Sequence, residues 1–154
     1  MEIINRQKIA ELSREYGEAL VSIYLPTHRV GREIQQDPIR FKNLIIEAQD
    51  RLEFLGLRKP DIEKLLEPAF KLQLDSDFWQ HQSDGLALFL AVKFFRYYRL
   101  PISFEPLLVV ADRFHLKPLI PLLSKNGHFF VLTLSQKNIR LLEGSLFNID
   151  EVDL

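Results

Sequence analysis

Ala19-Leu20-Val21-Ser22-Ile23-Tyr24-Leu25 is a mostly apolar run stopped by Pro26, and after a polar stretch from Thr27 to Gln36 the chain resumes with Asp37-Pro38-Ile39-Arg40-Phe41. An apolar run of this length without helical periodicity predicts a buried strand. Asp37-Pro38 predicts a helix start, with Asp37 as N-cap and Pro38 at the first helical position, where a missing N–H costs nothing. From there to Gly56, Phe41, Leu44, Ile45, Ala48, Leu52 and Leu55 form one apolar stripe. Arg40, Lys42, Glu47, Asp50 and Arg51 fall largely outside it. With the elements that follow, strands and helices are mixed without strict βαβ alternation, which sets the class as α+β.

Outward from this pair, Ile9, Leu12 and Tyr16 at helical spacing predict a helix over 5–16 that ends at Gly17 as its C′ residue. Pro60-Asp61 opens another short helix, with either a break or a fresh start at Glu67-Pro68 and an end near Leu74, and Asp75 to Asp84 reads as a polar loop holding the single Trp. Leu86–Val92 and Phe94–Leu100 predict two antiparallel strands joined around Lys93, with Phe95, Tyr97 and Arg99 on one face and Phe94, Arg96 and Tyr98 on the other. Leu107–Ala111 is another strand, and His115–Leu123, with its two prolines, a short 3₁₀-like helix. Asn126-Gly127 marks a turn before strands at His128–Leu134 and Asn138–Leu142. The expected architecture is a small mixed β-sheet flanked by helices over 1–126, followed by a β-hairpin over 127–154.

Composition excludes more than it assigns. Of 154 residues, 47% are hydrophobic, enough for one core. Lys+Arg 20 against Asp+Glu 21 rules out a polybasic arm or an acidic tail as a description of the whole chain. With no Cys, disulfide scaffolds, thiolate metal sites and Cys nucleophiles are excluded. His28, His81, His115 and His128 show no ligand spacing, so no metal is expected. Gly-rich phosphate loops, Gly-x-Ser-x-Gly elbows and His-Glu-x-x-His are absent, and no cofactor or catalytic activity is expected. No apolar run approaches a membrane span and no signal peptide opens the chain, so a soluble, cytoplasmic protein is expected.

Three clusters carry chemistry suited to nucleic acid. The first is His28, Arg29, Arg32, Gln35 and Gln36, continuing onto Arg40 and Lys42, where four bases face only Glu33 and Asp37, and Gly31 allows mobility. Arg and Gln suit phosphates and base edges, although a solvated loop ahead of a helix has the same composition. In the second, Lys93 with Phe94-Phe95-Arg96-Tyr97-Tyr98-Arg99, Arg96 and Arg99 interleaved with aromatics suit single-stranded RNA. Aromatic residues also favour strands, with one face as core. The third is Phe78-Trp79-Gln80-His81-Gln82-Ser83-Asp84-Gly85, where an exposed Trp79–His81 pair suits recognition, and equally Trp79 would anchor the loop while Asp84-Gly85 starts the next strand. Asp112 and His115 are spaced for an acid–base pair, but the simpler reading makes Asp112 a helix N-cap with His115 packed below it.

The order of these pieces is itself informative. Val21-Ser22-Ile23-Tyr24-Leu25-Pro26, a polar loop, a helix closing with Ala48-Gln49-Asp50-Arg51-Leu52, Asp84-Gly85-Leu86-Ala87-Leu88-Phe89, Phe104-Glu105-Pro106, Asp112-Arg113-Phe114-His115 and Pro121-Leu122-Leu123 occur in sequence. This order resembles the N-terminal domain of archaeo-eukaryotic class-one peptide release factors and Pelota-type rescue factors. It looks most like the bacterial branch of that superfamily, where Trp79-Gln80-His81-Gln82-Ser83-Asp84-Gly85 and Phe95-Arg96-Tyr97-Tyr98-Arg99 also have counterparts. The resemblance implies a noncatalytic, ribosome- or RNA-facing domain acting in translation termination or ribosome rescue. The alternative is an interaction or regulatory module that kept the fold and lost the ribosome. Glu33-Ile34-Gln35-Gln36-Asp37 stands where the eukaryotic factors carry Asn-Ile-Lys-Ser, so stop-codon reading does not transfer. No Gly-Gly-Gln occurs, so peptide release does not transfer either. On this reading 127–154 begins a middle domain. A bare hairpin is marginal in water, which leads to the expectation of a homodimer through it.

Overall fold

The computed structural model describes residues 4–123 and the strands Phe129–Leu134, Ile139–Gly144 and Ile149–Val152. Two compact units are present, one of Tyr16–Phe114 and one of Ile3–Glu15 with His115–Leu154. In the first, the apolar run becomes β1 (Leu20–Pro26), buried at every position but its last. The loop contains a 3₁₀ helix, Arg32–Gln36, and leads into α2 (Asp37–Phe54). Then come α3 (Lys59–Gln73), α4 (Ser76–Gln80), β2 (Gly85–Ala91), β3 (Phe94–Leu100) and β4 (Leu107–Ala111). In the second unit lie α1 (Arg6–Arg14), a 3₁₀ helix at Lys117–Leu123, and a sheet of β5 (Phe129–Leu134), β6 (Ile139–Gly144) and β7 (Ile149–Val152).

The fold is α+β, as the sequence predicts. Its main sheet has the order β3-β2-β1-β4 and is antiparallel throughout rather than mixed. The reason is the helix pair between β1 and β2. The Gln73 amide at the end of α3 donates to the Pro38 carbonyl at the start of α2 (3.4 Å). The two helices thus fold back on each other and return the chain to the end of the sheet where β1 finished. A single crossover helix would have delivered it to the other end and made β2 parallel.

One sheet face buries Val21, Ile23, Leu25, Leu86, Leu88 and Leu90 against Phe41, Ile45 and Leu52 of α2 and Leu66 and Ala69 of α3. The other face is aromatic. Tyr24 meets Phe89 and Phe104 edge-on, and Phe89 meets Phe114 at 5.3 Å between centroids. Burial pushes the Tyr24 phenol well above its usual 10.0. Because β1 and β2 are covered on both faces, they read as near-continuous apolar runs.

Several helix limits differ from expectation for local reasons. α2 closes in a Schellman motif: Gly56 adopts φ 93, its N–H reaches the Glu53 carbonyl and the Leu57 N–H reaches that of Leu52. This closure leaves Leu55 exposed, although it continues the stripe. α1 ends at Arg14 with Glu15 extended, and Gly17 carries no positive φ, so it is not a C′ residue. α3 runs unbroken through Pro68. The carbonyl deprived of its partner belongs to Lys64, an exposed position that water can serve. Ser76–Gln80, expected as loop, forms α4, capped by the Asp75 carboxylate accepting from the Phe78 N–H (3.2 Å). β7 adds a third strand to the expected hairpin. The Asn126-Gly127 turn lies outside the described residues.

Asp112 is exposed and sits in a bend well before the Lys117–Leu123 helix, so it caps nothing. Its carbonyl accepts from the Gly17 N–H (3.2 Å). His115 is half-buried. Desolvation, and then the Lys117 ammonium, lower its pKa from the ordinary 6.5. The unfolded chain therefore gains a proton that the folded chain resists. Stability from this group is complete above pH 6.5, falls as pH drops below it, and levels off once the folded-state pKa is passed. Thermal unfolding followed from pH 8 to pH 5, a range of about three units around the His value, should show a shallower decline in His115→Gln than in the parent.

Candidate nucleic-acid interface

The loop after β1 is fastened at both of its ends. On the strand side, the Thr27 N–H donates to the Asp84 carbonyl (3.1 Å) and its hydroxyl to the Ser83 carbonyl (2.7 Å). Arg29 continues the seam, with Nε donating to Asp84 Oδ1 (3.0 Å) and Nη2 to Ser83 Oγ (3.2 Å). On the helix side stands Asp37, whose side chain is 0% exposed. Its carboxylate accepts from the His28 N–H (2.9 Å), faces His28 Nδ1 (2.8 Å) and accepts from Arg40 Nη1 (3.3 Å). Glu33 closes over the other ring nitrogen, His28 Nε2, at 2.9 Å.

Asp37 is therefore not the helix cap expected of it. It lies inside the helix with αR backbone angles, and its carboxylate turns back to the loop rather than to the first helical N–H groups. Gly31 has φ 97 and ψ −178, a region essentially closed to residues with a Cβ, so it sets a bend ahead of the 3₁₀ helix rather than simply loosening the loop.

The expected cluster of open bases divides in two. His28, Arg29 and Arg40 are committed to Glu33, Asp37 and Asp84. Arg32 and Lys42 are exposed and make no ion pair among the described residues, and Gln35 and Gln36 are exposed beside them. Arg32, Gln35 and Gln36 ride on the 3₁₀ helix and Lys42 on the first turns of α2, so these groups share one end of the domain.

The secondary candidates separate. Trp79 is only 3% exposed, and its indole N–H donates to the Leu72 and Gln73 carbonyls (both 3.1 Å), with its ring against Phe41. A ring enclosed on this scale cannot stack on a base. Trp79 anchors α4 to the end of α3, and it does not pair with His81. His81 is exposed, with Nδ1 at 2.9 Å from the Asp77 carbonyl. Arg99 lies over the Phe78 ring at 4.9 Å and near Tyr97 at 5.9 Å, whereas Arg96 lies over Phe94 at 5.0 Å on the opposite face. Alternation along β3 thus sends the two arginines to different sides, and they form no common platform.

The pairings Arg29–Asp84 and His28–Asp37 carry no sequence signal. The first joins residues far apart in the chain, and the second has no helical or strand spacing. Among the described residues no group of three His, Asp or Glu side chains is placed to hold a metal ion. No described helix is long and apolar enough to cross a membrane.

No family model matches the chain, and no curated protein matches it in sequence. Solved structures do share its fold. One is described as an archaeal protein, with a TM-score of 0.55 and 16% identity, covering 96% of this chain and 42% of its own length. Another is the archaeal translation termination factor aRF1, with a TM-score of 0.54, 16% identity and the same coverage. The chain thus spans less than half the length of these structures, and at this identity the likeness establishes the fold.

Proposed function

We propose that this chain is a noncatalytic, RNA-facing domain of a release-factor-like protein, related to the bacterial branch of that superfamily and acting at the ribosome in termination or rescue. The observation that carries the proposal is the pair of unengaged cations, Arg32 and Lys42, set with Gln35 and Gln36 on a loop and helix start that Asp37 and Asp84 hold in shape. The fold shared with aRF1 supports it. Exposed cations neutralise phosphate without a burial cost, and a preshaped loop loses less entropy on binding. The domain supplies docking, and any bond cleavage would be done elsewhere.

Co-sedimentation with ribosomes at low and moderate salt tests this. Binding should fall steeply with salt. Arg32→Ala with Lys42→Ala should reduce the log–log salt slope by roughly 1.5 while leaving stability unchanged. Arg29→Ala and Arg40→Ala should weaken binding through the loop's shape, with smaller changes in slope. Binding with an unaltered slope in the Arg32/Lys42 variant removes this surface from the reading. The second reading, an interaction module that kept the fold, is favoured by the exposed apolar end of α2.

A further inference from the structure

We infer that the hollow between the C-terminal half of α2 and edge strand β4 is a docking site for a short peptide segment combining apolar side chains with Lys or Arg. The hollow measures about 330 Å³ and is lined by Glu47, Asp50, Arg51, Phe54, Leu55 and Val110. Phe54, off the apolar stripe of α2, is 92% exposed, and Leu55, beside the Schellman closure at Gly56, is 54% exposed. Burial in the domain's own core does not account for an aromatic side chain this open. Two exposed apolar side chains beside this hollow offer an apolar segment surface to bury. The floor is the half-buried Val110 of β4, whose outer side pairs with no strand.

The charges select the occupant. Arg51 is turned inward, donating to the Leu108 carbonyl (2.9 Å) and to Glu47 Oε1 (2.6 Å), so its charge and that of Glu47 cancel locally. Asp50, in the lining, and Glu53, next to Phe54 in the chain, are exposed, with no ion pair among the described residues. An apolar floor under unengaged carboxylates fits an aliphatic or aromatic side chain flanked by cations, and it disfavours acidic segments and phosphate. Because Arg51 is spent, no converging donors are left for a small polar ligand. These residues are distinct from those of the RNA-facing loop, so this inference does not depend on that reading.

The test is selection of random displayed decapeptides on the full chain, with counter-selection on Phe54→Ser. Phe54 is exposed enough that its loss leaves the fold intact. Enriched peptides should combine one or two apolar residues with Lys or Arg. In fluorescence anisotropy their affinity should drop at least tenfold for Phe54→Ser and for the charge reversal Asp50→Lys, and stay unchanged for Arg32→Ala. Three results would overturn the inference: no enrichment sensitive to Phe54, enrichment of acidic peptides, or a parent dimer in sedimentation that Phe54→Ser converts to monomer. The last would make the occupant a second copy of this chain.

Discussion

Gly85→Ala should cost about 3 kcal/mol of unfolding free energy, the upper part of the range for forcing atoms into a packed site. A Cβ at this position would lie 2.1 Å from the Ile102 carbonyl oxygen and 2.7 and 2.8 Å from two Phe104 ring atoms. The first of these is backbone and cannot rotate away. Phe104 is itself fixed edge-on against Tyr24 at 5.1 Å, so the ring has little freedom to retreat. Gly85 also pairs with Pro26 on one side and Leu100 on the other, so the strand cannot shift without breaking two ladders. The damage should reach the candidate interface, because the adjacent Asp84 holds both Thr27 and Arg29. Urea unfolding checks the magnitude. Gly31→Ala separates backbone strain from collision: its φ of 97 and ψ of −178 cost alanine about 1–3 kcal/mol, while nothing lies within 4 Å of the added atom. A Gly85→Ala cost below about 1 kcal/mol would mean that the segment carrying Ile102 and Phe104 yields to the new methyl group.

The contrast between these glycines shows what a sequence exposes and what it conceals. β1, α2, β2 and β3 were readable because each repeats a pattern dictated by its own geometry: unbroken apolar runs where both sheet faces are covered, a 3.6-residue stripe where only one helix face is. Arg96 and Arg99 could be assigned to opposite faces for the same reason. Pro68 misled because a proline's cost depends on which carbonyl it orphans, and the solvent at Lys64 is a tertiary fact. Trp79 was equally ambiguous, since a Trp beside Gln and His reads as exposed until the Leu72 and Gln73 carbonyls are seen to take its N–H. The antiparallel sense of β2 followed from the pairing of α2 with α3, which no local pattern encodes. The interface was legible as composition only. Which of its bases are engaged was decided by Asp84 and by the inward turn of Asp37.

That inward turn makes Asp37→Ala the second large effect, and it separates two roles the residue could have. Were Asp37 an N-cap, its loss would cost ~1 kcal/mol. As found, the carboxylate is completely enclosed and satisfies the His28 N–H, the His28 ring and the Arg40 guanidinium together. Alanine would leave the His28 N–H, the His28 ring and the Arg40 guanidinium without their acceptor. Breaking a buried pair in this way costs several kcal/mol, but the His28 and Arg40 side chains are 29% and 34% exposed and regain some hydration. The expected loss is therefore about 3 kcal/mol, read from denaturant midpoints at constant m-value. Asp37→Asn keeps the shape and one acceptor, and should fall between the parent and Asp37→Ala. A double-mutant cycle with His28→Ala should return a coupling of at least ~1 kcal/mol, because the two side chains touch. A cost near the capping value with no coupling would show that the loop holds its shape without Asp37. The same variant also separates shape from charge at the interface. Arg32 and Lys42 remain in place when Asp37 is removed, so ribosome affinity should fall while its salt slope is retained. Loss of Arg32 and Lys42 should do the reverse, lowering the slope in a domain of unchanged stability.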